Sequence, residues 1–122
     1  MAGRTIALGW SLPAYTVSAV VYQGESVVLQ FTPAATTDIT GWTMVATFKR
    51  FHTDTSALFT VTPASASPST GVFTVSLTAA QTSTVMQYVQ GYPMDVWRTD
   101  SGSETELANG LVCIQETTKN ST

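Results

Sequence analysis

Short segments in which apolar and polar residues alternate recur along this chain, and they constrain its fold more than any other feature. In SVVLQF, for example, Val27, Leu29 and Phe31 fall on one side of an extended chain. A period of two is typical of a β-strand with one buried and one solvated face. Seven such segments are predicted as strands: 17–22, 26–31, 43–50, 58–62, 72–77, 94–97 and 111–114.

Turn-forming residues separate these segments at intervals of roughly 8–15 residues, which is the spacing of an antiparallel sandwich or barrel. Gly, Pro, Ser, Asp and Asn concentrate there because each favours tight turns for its own conformational reason. The segment PASASPSTG at 63–71 is flanked by predicted strands and is interpreted as a long hairpin loop. The pattern predicts an all-β fold.

The composition agrees with this prediction. Only 11% of the 122 residues are charged, against roughly a quarter in an average soluble chain. Hydroxyl residues replace the charges, with 22 Thr and 12 Ser. Threonine suits strands because its branched Cβ fits a pleated surface while its hydroxyl stays solvated. A chain of this length forms one domain with a single core.

One alternating segment, VFTVSL, runs directly into the small-residue sequence TAAQT. A hydroxyl at Thr78 can cap a helical turn, and the two alanines that follow tolerate helical dihedral angles. In a sandwich, a single helical turn often carries the chain from one sheet to the other. We therefore predict a short helical crossover near 78–84.

The N-terminal segment contains strand-like patches and a proline ahead of the first clear strand. We predict an extended arm over 1–15, a sandwich over 16–116 and a C-terminal tail over 117–122. An arm of this kind commonly adds a strand to a neighbour's sheet edge, where main-chain hydrogen bonds supply affinity. The expected state is therefore a homo-oligomer.

Four segments of the chain resemble the immunoglobulin-like modules of tailed-phage structural proteins. They are ITGWTMVA at 39–46, GVFTVSLTAAQTSTV at 71–85, YPMDVWRTD at 92–100 and the closing stretch 106–114. Their order and spacing agree with the family over roughly residues 25–115. The known relatives include the N-terminal domains of siphophage baseplate upper proteins. One departure is Met94, which stands where the family has an aromatic residue; Pro93 before it favours a sheet edge at this point.

The resemblance implies an immunoglobulin-like β-sandwich of about seven to eight strands, in a non-enzymatic subunit of the phage head, tail or baseplate. It also implies that the protein resides in the virion, after assembly in the host cytoplasm, and that its partners are other virion structural proteins.

The sequence offers few residues for catalysis. His52, the single histidine, could share a strand face with Asp54, but no nucleophile motif accompanies them. Cys113 lies among apolar neighbours in LVCI, which favours a small buried side chain over a reactive thiol. We expect no enzymatic activity and no cofactor.

Binding of metals, nucleic acids and membranes is also not expected. Three carboxylates, Asp100, Glu104 and Glu106, surround a turn, but their spacing does not match a calcium loop. The net charge is −3 and the basic residues are scattered, whereas nucleic-acid binding needs a clustered positive field. No apolar run approaches the roughly 20 residues that span a bilayer.

Four aromatic residues are the candidates for an interaction surface. Trp97 is out of phase with the inward-facing Met94 and Val96, so its ring is predicted to point outward; the other candidates are Trp10, Tyr15 and Trp42. An exposed tryptophan commonly marks a binding surface. We favour protein–protein contacts, with a carbohydrate-binding or adhesion module as the alternative.

Overall fold

The computed structural model describes residues 4–10, 17–49, 55–83 and 91–115. The candidates Tyr15, His52 and Asp54 lie outside these residues, as do the predicted domain boundaries near 15 and 116. The predicted division into arm, sandwich and tail therefore stays a prediction.

Strands form nearly all of the regular secondary structure in the described chain. Its elements are β1 (Thr5–Gly9), β2 (Val17–Tyr22), β3 (Val27–Thr32), β4 (Met44–Phe48), β5 (Phe59–Val61), β6 (Ala64–Ser67), β7 (Val72–Leu77), α1 (Ala79–Ser83), β8 (Gly91–Arg98) and β9 (Thr105–Gln115). Each of the seven predicted strands overlaps an observed one. The all-β prediction is thus confirmed, with nine strands in the described residues.

Two sheets form a sandwich-like arrangement. The four-stranded sheet has the order β1-β3-β7-β6, and the five-stranded sheet has the order β2-β9-β8-β4-β5. Five of the seven pairings are antiparallel as predicted, but β1 with β3 and β2 with β9 are parallel, and the antiparallel prediction is wrong for these two. Neither pair is joined by a hairpin, because β2 separates β1 from β3 and most of the chain separates β2 from β9; nothing local imposes an antiparallel direction.

The core lies between the two sheets. Phe31 and Phe73 face each other in the four-stranded sheet with ring centroids 5.0 Å apart, and both are fully buried. In the five-stranded sheet, buried Phe48 stacks on half-buried Phe59 at 4.9 Å. The same period of two that placed Phe31 on one side of its strand thus directs all four phenylalanines towards the core.

Two strands lie where the alternation predicted none. β6 occupies the segment predicted as a hairpin loop, and its four small residues are mostly exposed, so no apolar face marked it in the sequence. β1 lies within the segment predicted as an arm and pairs with β3 of the same chain. Its inward residues Ile6 and Leu8 pack against the core.

The predicted helical turn is confirmed as α1, between β7 of one sheet and β8 of the other. Thr78 and Gln81 form a capping box: the Gln81 N–H donates to Thr78 Oγ1 at 3.1 Å, and the Thr78 N–H donates to Gln81 Oε1 at 2.9 Å. Buried Thr82 accepts a bond from the Gly24 N–H at 3.0 Å, which fastens the helix to the turn between β2 and β3.

Pro93 lies near the start of β8, where it is in register with β9 but one residue beyond the register with β4, so the predicted edge is found locally at the start of this strand. β8 is an inner strand, paired with both β9 and β4. The missing N–H is tolerated because Pro93 is placed beside Lys49, just beyond the last residue of β4, and its carbonyl still accepts the Lys49 N–H at 2.9 Å.

Candidate interaction surface

Two of the predicted aromatic residues meet at one end of the sandwich. Trp10 directly follows β1, and its N–H donates to the Thr32 carbonyl at 3.2 Å, which continues the pairing with β3. Its ring lies 5.8 Å from Phe73 and 6.3 Å from Trp42, both tilted contacts. Trp10 and Trp42 are each half-buried and pack against the core, so the core continues outward into this pair.

An arginine and an aspartate complete the cluster. Arg98, the last residue of β8, places its guanidinium carbon 4.1 Å from the centre of the Trp42 ring. Its Nε donates to Asp100 Oδ2 at 2.9 Å, and the same oxygen accepts the Thr43 N–H at 2.9 Å. Trp10, Trp42, Arg98 and Asp100 are hereafter called the Trp–Arg end.

The charges of the Trp–Arg end are locally balanced. The hydrogen bond from Arg98 lowers the pKa of Asp100, and the backbone bond from Thr43 adds to the effect. The carboxylate therefore remains ionised at neutral pH beside the guanidinium. This end therefore presents a partly buried aromatic surface beside a paired charge.

Trp97 lies apart from this cluster. Its side chain is 38% exposed, on the outer face of the five-stranded sheet, so the predicted outward direction is confirmed. Its cross-strand neighbours are Val45 on β4 and Glu106 on β9. The structure therefore brings Trp10 and Trp42 together, and it separates Trp97 from both.

Sequence reasoning missed the contribution of Arg98 to this surface. The sequence contained an indication of this contribution. Arg98 is two residues beyond Val96 and four beyond Met94, so it lies on the same inward-facing side of the strand, at its end. An arginine there can lay its plane over an aromatic ring that closes the core.

The other candidate groups have local roles. Cys113 is buried, as its apolar neighbours predicted. Near the turn, Glu104 accepts the Gly102 N–H at 3.0 Å and Glu106 accepts the Asn109 amide at 2.8 Å. Within the described ranges, no group of three or more His, Cys, Asp or Glu is placed to hold a metal ion. No helix in the same ranges is long and apolar enough to cross a membrane.

Comparison with known proteins finds likeness among solved structures. No protein-family model matches the sequence, and no curated protein matches it. Among solved structures, the fold is similar to the N-terminal domain of phage TP901-1 ORF48, with a TM-score of 0.51 and 12% sequence identity. The match covers 94% of this chain and 99% of that chain. The resemblance to a phage protein domain, inferred from sequence motifs, is thereby confirmed at the level of the fold.

Proposed function

We propose that this chain is a non-enzymatic structural subunit of a tailed-phage particle and that it acts through contacts with other particle proteins. The observation that carries the proposal is the likeness to the N-terminal domain of phage TP901-1 ORF48 over nearly the whole of both chains. The four sequence segments that resemble phage structural modules support it independently, since they were identified without the fold.

We further propose that the sandwich is immunoglobulin-like. With β3 taken as strand B, the order β3-β7-β6 corresponds to B-E-D, and β9-β8-β4-β5 corresponds to G-F-C-C′. The helical turn α1 then lies between strands E and F. In this assignment β1 and β2 are additions at one edge of each sheet, and both are parallel to their neighbours.

The aromatic surfaces favour a protein partner over a glycan. Sugar binding by stacking requires an aromatic face that is open to solvent, whereas one face of Trp42 is covered by Arg98 and its edge is flanked by Trp10. Trp97 is the exposed tryptophan of the described residues, and its direct cross-strand neighbours, Val45 and Glu106, are not aromatic. A ring between an apolar and a charged neighbour is better suited to a mixed protein interface.

The proposal is tested by locating the chain in purified particles. Gradient-purified phage encoding this chain should contain it in a fixed copy number, by quantitative mass spectrometry, after a high-salt wash. Immunogold labelling should mark one position on the particle. Absence from washed particles, with the protein present in infected-cell lysate, would contradict the proposal.

The carbohydrate alternative has a separate test. The purified full chain is applied to a glycan array together with Trp97→Ala and, as a matched control, Tyr22→Ala, which removes another exposed ring from the five-stranded sheet. We expect no saturable binding by any of the three proteins. Binding that only Trp97→Ala abolishes would favour the alternative.

A further inference from the structure

Among the described residues, no strand pairs with the backbone hydrogen-bonding groups on the outer edge of β1. The Val28 N–H donates to the Arg4 carbonyl at 3.0 Å, and the Trp10 N–H donates to the Thr32 carbonyl at 3.2 Å. In a parallel ladder, alternate residues bond to the same neighbour, so the even-numbered residues of β1 face β3. The N–H and C=O groups of Thr5, Ala7 and Gly9 therefore point to the other side, where no described strand pairs with β1.

This edge lacks the usual protection against pairing with another chain. Exposed edges are commonly shortened, bulged, or blocked by proline or charge. The other three edge strands of the described sheets each have such protection. β6 lies between Pro63 and Pro68 and has an irregular register. β5 has only three residues, and the register of β2 is irregular at Val17. β1 has five residues in continuous register, and none of them is charged or a proline.

We propose that β1 pairs with β1 of a second copy of this chain, antiparallel and around a two-fold axis, with Ala7 opposite Ala7 of the partner subunit. In this register Thr5 lies opposite Gly9 of the partner subunit. The outward-facing groups then form about six main-chain hydrogen bonds. The two four-stranded sheets join into one continuous sheet across the axis.

The side chains of β1 are self-complementary in this register. Ile6 lies opposite the partner's Leu8 on the inner face, and both are half-buried apolar residues in the single chain. Pairing covers the parts of the Ile6 and Leu8 side chains that are exposed at the edge of the single chain. Apolar pairs of this kind across two strands stabilise a sheet. On the outer face, the small side chain of Ala7 sits on the axis, where it leaves room for its symmetry mate.

Charge also favours a second copy. The four strands of this sheet read TIALG, VVLQFT, VFTVSL and ASAS, with no acidic or basic residue. Two copies of a charged sheet would repel across the axis, whereas two copies of this sheet do not. The proposal concerns a second copy and not the other particle proteins, so it holds or fails independently of the proposed function.

The first test removes one edge-facing donor. Ala7→Pro deletes the Ala7 N–H without removing any bond between β1 and β3, and the residue before it is already extended as proline requires. We expect wild-type chain to show a concentration-dependent dimer by analytical ultracentrifugation and Ala7→Pro to sediment as a monomer. The control Ala7→Ser keeps the N–H and a small side chain, and it should remain dimeric. Circular dichroism checks that each variant is folded.

The second test captures the register directly. Hydrogen-bonded antiparallel partners have Cα atoms about 5.5 Å apart, within the range of a disulfide. Under mild oxidation, Ala7→Cys should give a covalent dimer, whereas Gln30→Cys, one strand inward on the same face, should not. A wild-type chain that stays monomeric at all concentrations, or a dimer that survives Ala7→Pro without cross-linking at residue 7, would overturn the proposal.

Discussion

The two ends of the sandwich use the same three kinds of side chain, an arginine, an aromatic ring and a carboxylate, in different ways. At one end, Arg4 donates to both oxygens of Glu25, at 2.6 and 3.0 Å, and to the Val20 carbonyl at 2.8 Å. Its guanidinium carbon lies 5.3 Å from the centre of the Tyr22 ring. Hydrogen bonds dominate here, and they join the start of β1 in one sheet to β2 in the other.

At the Trp–Arg end, stacking dominates. Arg98 lies 4.1 Å above Trp42 and makes one described bond to Asp100. The ring contacts continue inward from Trp42 through Trp10 to Phe73. The core thus extends to the surface at this end, whereas polar groups close the Arg4 end. Truncation of apolar side chains should therefore lower stability most at the Trp–Arg end, and the loss of hydrogen bonds should lower it most at the Arg4 end.

The largest expected effect is that of Phe73→Ala. Removing this ring opens a cavity against Phe31 and withdraws a partner of Trp10, so the free energy of unfolding should fall by about 3–5 kcal/mol. The matched change Leu77→Ala truncates a buried residue of the same strand at the Arg4 end. Urea unfolding measures both losses. Only Phe73→Ala should also shift the native tryptophan emission to the red; an equal shift in Leu77→Ala would remove the distinction between the ends.

Thr82→Val tests the polar closure of the opposite end. The Thr82 hydroxyl is fully buried, accepts the Gly24 N–H, and has the carbonyl oxygens of Glu25 and Ala79 as acceptors for its single proton at 3.0 and 3.1 Å. Valine has the same shape but leaves these groups unpaired, and the free energy of unfolding should fall by about 2 kcal/mol. Thr74→Val is the control, because that hydroxyl is at the surface and makes one described bond of 3.4 Å. Equal losses in the two variants would contradict the assignment.

Much of the fold was accessible from the sequence because burial imposes a period of two. The segment 72–77 was predicted with the observed bounds, and α1 was predicted from Thr78 and the alanines beside it. β6 was not predicted because its residues are small and mostly exposed, so the two faces of the strand do not differ in polarity. β1 lies in the segment predicted as an arm, and its pairing with β3 was not predicted because it is determined by long-range packing and not by a local turn.

The candidate surface was predicted less completely. Alternation placed Trp97 outward, because its phase is defined by Met94 and Val96 on the same strand. The meeting of Trp10 with Trp42 could not be predicted, since the two residues belong to segments of opposite sheets with no shared period. The role of Arg98 was not predicted, because a charged residue at an inward-facing position is normally taken to indicate that the position is exposed. Here the guanidinium plane instead covers the ring of Trp42.

A double-mutant cycle between Trp42 and Arg98 measures the stacking at the Trp–Arg end. Trp42→Leu and Arg98→Met each remove one partner, and the coupling energy from urea unfolding should be about 1 kcal/mol. The same cycle between Tyr22 and Arg4 should give a smaller coupling, because their separation of 5.3 Å is longer. A larger coupling at the Arg4 end would reverse the contrast between stacking and hydrogen bonding.

The smallest effect is the pH dependence of the Arg4 end. The hydrogen bond from Arg4 lowers the pKa of Glu25 below its ordinary value of 4.5. The folded state therefore favours the ionised carboxylate, and this stabilisation is present above pH 4.5 and is lost as the pH falls through the lowered pKa. Because the Arg4 side chain is 46% exposed, the pair contributes no more than about 1 kcal/mol at neutral pH.

The difference in unfolding free energy between wild type and Glu25→Gln should thus be positive at pH 7, shrink below pH 4.5 and weaken in 1 M salt, where the Debye length is about 3 Å. The control Glu106→Gln removes the same charge from a carboxylate whose described bond is to the Asn109 amide and not to an arginine. The Arg98 bond lowers the pKa of Asp100 in the same direction, so Asp100→Asn should behave similarly at the other end. A difference for Glu25→Gln that stays constant from pH 7 to pH 3 would mean that Arg4 holds this corner by the geometry of its bonds and not by charge.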